Sequence, residues 1–319
     1  MRICIVTPAP PRSRTGNRLT ALRWARILRD LGHRVDVTQA YDGSRCAILV
    51  ALHARRSAPS IAAYRKRYPD RPVIVALTGT DLYHDIHHSK PAQRSLDLAT
   101  RLIVLQRNGV DALPARFRGK TRVIVQSVAP PRVLPSPRAR SFDVCVLGHL
   151  RSVKDPFRAA HAARMLPESS RVRIMHLGAA LSDSMARQAR TEAARNPRYR
   201  WLGELPRWRA LRVLAACRLL VQSSRIEGGA NSICEALAIG VPVLSSRIDG
   251  SIGLLGEDYP GYFEYGDTGT LADLMRQAEV SPAFYGRLRA ACRLRALAVR
   301  PANERRAWRA LLRELDVAK

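Results

Sequence analysis

The sequence predicts an α/β protein made of two facing doubly wound domains, the second followed by C-terminal helices. Three observations predict it. Short apolar runs alternate with amphipathic helical segments along nearly all of the 319 residues. A proline-rich stretch, Ala129-Pro130-Pro131 through Pro135-Ser136-Pro137, interrupts the alternation, and the same pattern restarts after it. The length suits two cores better than one. The domains are expected at 1–137 and 138–319, with the C-terminal helices packing back on the first.

In the first half, Ile3–Val6 reads as a strand and the Pro10–Gly16 stretch as a loop. Asn17–Leu31 is an amphipathic helix stopped by Gly32, and Val35–Thr38 is the next strand. Ala47–Leu52, Val73–Leu77, Leu102–Leu105 and Val123–Val125 follow as strands, with helices expected at Ser60–Tyr68 and Gln93–Ala99. These strands are continuous apolar runs, as parallel strands covered on both faces must be. In the second half, Phe142–Leu147, Val172–Leu177, Tyr199–Leu202, Leu219–Gln222 and Pro242–Leu244 read as strands. Helices are expected at Pro156–Met165, Ser184–Arg195, Trp208–Ala216, Asn231–Ile239, Leu271–Ala278 and Pro282–Leu315, the last interrupted near Pro301.

The net charge of +28 is carried almost entirely by arginine, spread over all the predicted helices but Asn231–Ile239 and gathered in no single stripe, a pattern that fits solvated helix faces. Such a field favours phosphorylated partners. A nucleic-acid binder would need a basic stripe or interleaved aromatics; aromatic residues are only 6% of the chain. The six cysteines, Cys4, Cys46, Cys145, Cys217, Cys234 and Cys292, contain no C-x-x-C pair and read as reduced, buried thiols. Met1-Arg2 enters a strand without a signal-peptide layout, and no run approaches the ~20 apolar residues of a membrane span. A cytoplasmic protein without membrane or nucleic-acid partners is expected; oligomeric state is open.

The chemistry concentrates in Glu227-Gly228-Gly229-Ala230-Asn231-Ser232-Ile233-Cys234-Glu235. This is strand, glycine loop, then a helix capped near Asn231. The helix N-terminus offers free N–H groups and partial positive charge, which seat a diphosphate. Glu227 and Glu235 frame that seat and can accept hydrogen bonds from sugar and ribose hydroxyls. A second loop, Gly148-His149-Leu150-Arg151-Ser152-Val153-Lys154, follows the first strand of the second half. It carries two cations, Arg151 and Lys154, and lysine is scarce in this chain.

On these residues the chain resembles the GT-B glycosyltransferases, specifically the large retaining-type family with an E-x7-E motif. The resemblance implies two facing Rossmann-like domains. It implies that Glu227 contacts the donor sugar, that Glu235 holds the ribose, and that Gly148, Gly228, Gly229, Ala230, Asn231 and Ser232 line the nucleotide-sugar. Arg151 and Lys154 would serve the diphosphate, although His149 stands where the family usually has arginine. Trp201-Leu202-Gly203-Glu204-Leu205-Pro206 matches a turn that reads the nucleotide base. No cofactor is expected, since the UDP-sugar is a substrate.

Three loops of the first half should form the acceptor pocket: Arg12–Arg18, Leu52–Ser57 and Thr78–Tyr83. They are rich in arginine and hydroxyls and poor in free carboxylates, which suits an anionic acceptor carrying its own nucleophile. With T-G-N-R, A-L-H-A-R-R-S and A-L-T-G-T-D-L-Y in this order, the chain looks like the selenosugar synthases of selenoneine biosynthesis. That resemblance implies attack of selenophosphate on a UDP-sugar, UDP-GlcNAc or UDP-glucose, releasing UDP and then phosphate. Gly16, Asn17 and Arg18 would hold the acceptor phosphate, with His53 as a catalytic group and Arg55, Thr78, Thr80 and Asp81 completing the pocket. Asp81, His84, His87 and His88 are too loosely spaced for a metal site, and none is expected. An ordinary sugar or lipid acceptor, a two-domain epimerase or phosphorylase, and a basic nucleic-acid binder remain as alternatives.

Overall fold

The computed structural model describes residues 1–315 and contains two compact units. The first comprises 1–127, the Glu227–Gly229 segment and the chain from Pro301 onward; the second comprises 128–226 and 230–300. The proline-rich stretch, free of helix and strand, belongs to the second unit.

In the first unit the chain runs through β1 (Arg2–Val6), α1 (Gly16–Asp30), β2 (Arg34–Thr38), β3 (Ile48–Leu52), α2 (Ala58–Arg67) and β4 (Val73–Leu77). A π-helical turn at Asp81–Asp85 leads into α3 (Ile86–His88) and α4 (Lys90–Leu98). Then come β5 (Arg101–Val104), the single turns α5 (Asn108–Asp111) and α6 (Ala115–Arg118), and β6 (Thr121–Val123). The six strands are parallel, in the order β2-β1-β3-β4-β5-β6. Cys4 and Val6 face one apolar cluster, Ile3 and Ile5 the other, so both faces of the sheet are covered. That two-sided burial is why the strands read as unbroken apolar runs.

The second unit repeats the plan. It contains β7 (Phe142–Leu147), α7 (Arg158–Arg164), β8 (Val172–Leu177), α8 (Asp183–Arg195), β9 (Tyr199–Trp201), α9 (Arg207–Ala215), β10 (Leu219–Gln222), α10 (Asn231–Ile239), β11 (Val243–Ser246), α11 (Asp249–Leu255), β12 (Tyr262–Phe263), α12 (Thr268–Val280) and α13 (Pro282–Ala296). Its parallel sheet has the order β12-β11-β10-β7-β8-β9. The last helix, α14 (Pro301–Glu314), is counted with the first unit and lays Trp308 edge-on against Trp24 of α1, ring centroids 5.0 Å apart.

Most expected elements are present, with ends moved by up to three residues. Four differences carry information. The apolar triplet Val123–Val125 is not the sixth strand; pairing with β5 runs from Thr121 to Val123. The Asp81–Asp85 turn, α11 and β12 were not anticipated. The first is shaped by a carboxylate, and the others are too short to show a period. All six cysteines are buried thiols outside any disulfide, and no helix among the described residues is long and apolar enough to cross a membrane.

Candidate functional site

A doubly wound sheet binds ligands outside the carboxyl ends of its strands, where the strand order reverses. In the first sheet the reversal falls at β1 and β3. Thr7 follows β1, is fully buried, and leaves its hydroxyl without a hydrogen-bond partner. Helix α1 opens at Gly16, its N-cap Thr15 makes no side-chain bond to the first turn, and that turn carries no acid. Side chains close α4, α8, α12 and α13 (Ser89, Ser182, Asp267 and Ser281), while α2, α7, α9 and α11 start uncapped as α1 does. The first turn of α1 carries Arg18 instead, whose Nε is buried and unpartnered. The uncapped start of α1 with Arg18, and the buried Thr7 hydroxyl after β1, both follow the carboxyl end of one strand, and both suit an anion.

Beside this crevice, His53 ends β3 in a left-handed conformation, φ +74°. A non-glycine residue held there stores roughly 1–3 kcal/mol of strain, which persists only where the surroundings fix it. Asp81 does much of the fixing. Its buried carboxylate accepts the backbone N–H groups of Ala54, Thr78 and Gly79 at 2.8–2.9 Å. Expected to face an acceptor, Asp81 therefore latches the ends of β3 and β4 to each other. Asp85 accepts from Arg55 Nε at 2.9 Å and lies 3.8 Å from His53 Nε2. His53 Nε2 is also 3.3 Å from the Thr80 hydroxyl. The Arg56 amide donates to His53 Nδ1 at 3.4 Å, which leaves the proton of a neutral ring on Nε2, toward Thr80 and Asp85. Burial pushes the His53 pKa down, opposed by Asp81.

The glycine loop belongs structurally to this first unit. A Cβ on Gly228 would fall 2.5 Å from the carbonyl carbon and oxygen of Thr78, and one on Gly229 would fall 2.5 Å from Leu105 Cβ. Both glycines are required by close packing against the ends of β4 and β5.

In the second sheet the order reverses at β7 and β10. Gly148 follows β7, and a Cβ there would meet nothing within 4 Å, so space beside this backbone is open. Its carbonyl accepts from His176 Nε2 at 3.3 Å. The Tyr199 hydroxyl lies 2.9 Å from His176 Nδ1. Burial pushes the His176 pKa down to about 4, so the ring is neutral. Gly178, at φ +151°, crosses so near that a side chain would strike the Gly148 carbonyl, and Trp201 Nε1 donates to the Gly178 carbonyl at 2.8 Å. Further along the loop, Arg151 is exposed and Lys154 half-buried. Ser223, just after β10, donates its hydroxyl to the carbonyls of Lys154 and Asp155 at 3.2 and 2.9 Å. The Arg225 amide donates to Val153. The two loops at this reversal are therefore tied together.

Helix α10 starts at Asn231, and its N-cap is Ala230, which cannot supply a side-chain bond. The expected cap near Asn231 is thus replaced by an open helix end. Ser232 donates its hydroxyl to Gln222 Oε1 at 2.5 Å. The buried Glu235 carboxylate is paired with Arg207, whose Nε and Nη2 each lie 3.1 Å from Oε1. Sequence reasoning missed Thr7, Arg207, Gln222 and Ser223. Arg207 had a usable signal, since it follows the Trp201–Pro206 turn. Among the described residues no group of three His, Cys, Asp or Glu side chains could hold a metal ion.

Two parallel six-stranded sheets, each with an open helix end at its strand-order reversal, define a protein of the GT-B class. The chain belongs to the glycosyl transferases group 1, whose family model matches residues 136–295. Its fold is similar to HepE of Anabaena, solved with UDP and glucose, at TM-score 0.77 and 17% identity over 98% of this chain and 100% of that one. Sucrose-phosphate synthase of Thermosynechococcus elongatus matches at TM-score 0.77 and 14% identity, covering 100% and 99% of the two chains. An α,α-trehalose-phosphate synthase of Burkholderia xenovorans, solved with glucose-6-phosphate, matches at TM-score 0.68 and 12% identity, covering 84% and 73%.

Proposed function

We propose that this glycosyltransferase moves a sugar from a UDP-sugar, UDP-GlcNAc or UDP-glucose, to selenophosphate. The observation that carries the acceptor reading is the open, arginine-bearing N-terminus of α1 beside the buried Thr7 hydroxyl and the His53 loop. An anion seated there would meet Gly16, Asn17 and Arg18, with Thr78 and Thr80 at the neighbouring strand end. No free carboxylate stands ready as a base, because Asp81 and Asp85 are already held. A soft selenium nucleophile needs none. The donor reading draws on family membership, the open end of α10, the space beside Gly148, and the Arg151–Lys154 loop. The complex of HepE with UDP and glucose agrees with it.

In this reading UDP lies along Gly148 and the start of α10, with Glu235 on the ribose, Ala230, Asn231 and Ser232 at the phosphates, and Glu227 on the sugar. Selenium attacks the anomeric carbon as the bond to UDP breaks, and UDP leaves with the electron pair. Arg151 and Lys154 stabilise the charge that grows on it. Water then cleaves the Se–P bond, giving a selenol and phosphate. No cofactor takes part.

The test is incubation with each UDP-sugar and selenophosphate, reading UDP release and product mass. UDP release should require selenophosphate, and the product should carry a C–Se bond. The complex of trehalose-phosphate synthase with glucose-6-phosphate favours one second reading, a phosphorylated sugar as acceptor. Release of UDP with glucose-6-phosphate but not selenophosphate would replace the first reading with it.

A further inference from the structure

We propose that Gln126, which lies beyond β6 and outside every motif, is a positioning residue that fixes the loop bearing Glu227. Gln126 is only 1% exposed. Its Nε2 donates to the Gly229 carbonyl at 2.7 Å. Its Oε1 accepts from the Thr20 hydroxyl at 2.8 Å and from Arg23 Nη2 at 2.7 Å, both on α1. The two donors to Oε1 and the carbonyl facing Nε2 settle the amide orientation, since the opposite flip would set donor against donor and acceptor against acceptor.

The frame behind Gln126 is equally constrained. Arg23 Nε donates to both oxygens of Glu304 of α14, at 3.1 and 3.0 Å. Glu304 is almost wholly buried and also accepts from Trp24 Nε1 at 2.7 Å, from the Ser127 amide at 2.9 Å and from the Ser127 hydroxyl at 2.5 Å. A buried carboxylate so fully satisfied holds its donors in one arrangement. Gln126 therefore meets Gly229 from a rigid support. Side-chain-free packing of Gly228 on Thr78 and of Gly229 on Leu105 limits where the loop can lie. The Gln126 bond sets the rotation of the Gly229 peptide, and Glu227 lies two residues before it. Close packing limits where the loop lies, and the hydrogen bond adds a directional constraint on the Gly229 carbonyl.

The functional consequence rests on the reading in which Glu227 holds the donor sugar. Misplacing such a group by about 1 Å costs on the order of 10²-fold in rate. Nucleotide affinity draws on the Ala230 N–H of the same Gly229 peptide and should weaken somewhat, but most of it, assigned to Gly148, Glu235 and the rest of α10, should remain.

The decisive variant is Gln126→Glu. Its carboxylate can still accept from Thr20 and Arg23 but has no N–H for Gly229 and turns an acceptor toward its carbonyl. Gln126→Met keeps the length without polarity, and Thr20→Val leaves the Gly229 bond while loosening its support. Turnover should fall roughly 30- to 100-fold in Gln126→Glu and Gln126→Met and by about 3- to 5-fold in Thr20→Val, while the calorimetric Kd for UDP should weaken by no more than about fivefold. Amide exchange of peptides spanning 226–230 should quicken in the same order. Folded Gln126 variants with wild-type turnover and wild-type exchange would overturn the assignment. Faster exchange in a protein that binds no UDP-sugar would leave the positioning role standing and remove the donor reading instead.

Discussion

The two units share a plan and differ in how their binding chemistry is written along the chain. In the second unit the open helix end, Ser232 and Glu235 follow one another within α10, and the tied loop lies just after β7. In the first unit Thr7, Arg18, His53 and Thr80 come from separate loops, and the strand order alone gathers them. The two buried histidines show the same contrast. Burial lowers the pKa of both, but His53 has Asp81 and Asp85 beside it to oppose the shift, whereas His176 sits between a hydroxyl and a carbonyl. One histidine stands among charges at a candidate site; the other shapes a loop from behind. The candidate site of the second unit thus has a neutral histidine behind its Gly148 loop, and that of the first has a charged latch beside it.

The largest effect expected from this difference is on stability in acid. The folded pKa of His176, about 4, lies below the ordinary value of 6.5. The unfolded chain therefore binds this proton more readily. The stability associated with the neutral ring is complete above about pH 6.5 and is lost as pH falls through the window to about 4. The loss amounts to roughly 3 kcal/mol. Denaturant titrations at pH 7.5, 6 and 4.5 should show wild type losing this share, while His176→Gln, less stable at pH 7.5, has a flatter acid limb. Equal slopes for the two proteins would mean that His176 is not held neutral.

The next effect separates the two seats. Arg18→Gln removes a cation from the first turn of α1 and keeps much of its bulk. A charge-assisted hydrogen bond to an anion is worth about 1.5–3 kcal/mol, so the acceptor KM should rise roughly 10- to 100-fold. The Kd for UDP should not move. A parallel loss of UDP affinity would show that the two seats do not divide the substrates in this way.

Much of the fold was legible because two-sided burial leaves unbroken apolar strands, and a restart after prolines marks a second unit. Glu235 and the start of α10 were legible because their residues are consecutive; the missing side-chain cap was not, since Asn231 looked like the cap and is instead the first helical residue. Gln126 was not: its partners Thr20, Arg23 and Gly229 are about a hundred residues away in either direction, and no local pattern marks it. Asp81 was visible as a carboxylate in a strand-end loop, but its use as a latch depends on the backbone turning toward it. The glycines of the E-x7-E loop suggested close approach to a ligand. The structure shows close approach to Thr78 and Leu105, which fixes the loop that the motif begins.

The smallest effect concerns Arg207, and its sign is informative. Arg207 keeps about 40% of its side chain exposed, so its pairing with Glu235 is partly screened and worth about 1 kcal/mol. Two consequences of removing it oppose each other. Glu235 would lose a competitor for its oxygens, which would tighten its grip on ribose hydroxyls. It would also lose its orientation and the cation that offsets its charge near a diphosphate. Both nitrogens of Arg207 meet the same oxygen, Oε1, so the guanidinium orients the carboxylate as well as neutralising it. Orientation and neutralisation should therefore prevail. Arg207→Gln should weaken UDP binding about fivefold at low salt and less at high salt, with the acceptor KM unchanged. Tighter binding in the variant would make Arg207 a competitor that UDP must displace, and the second unit would then carry a latch at its site as the first does.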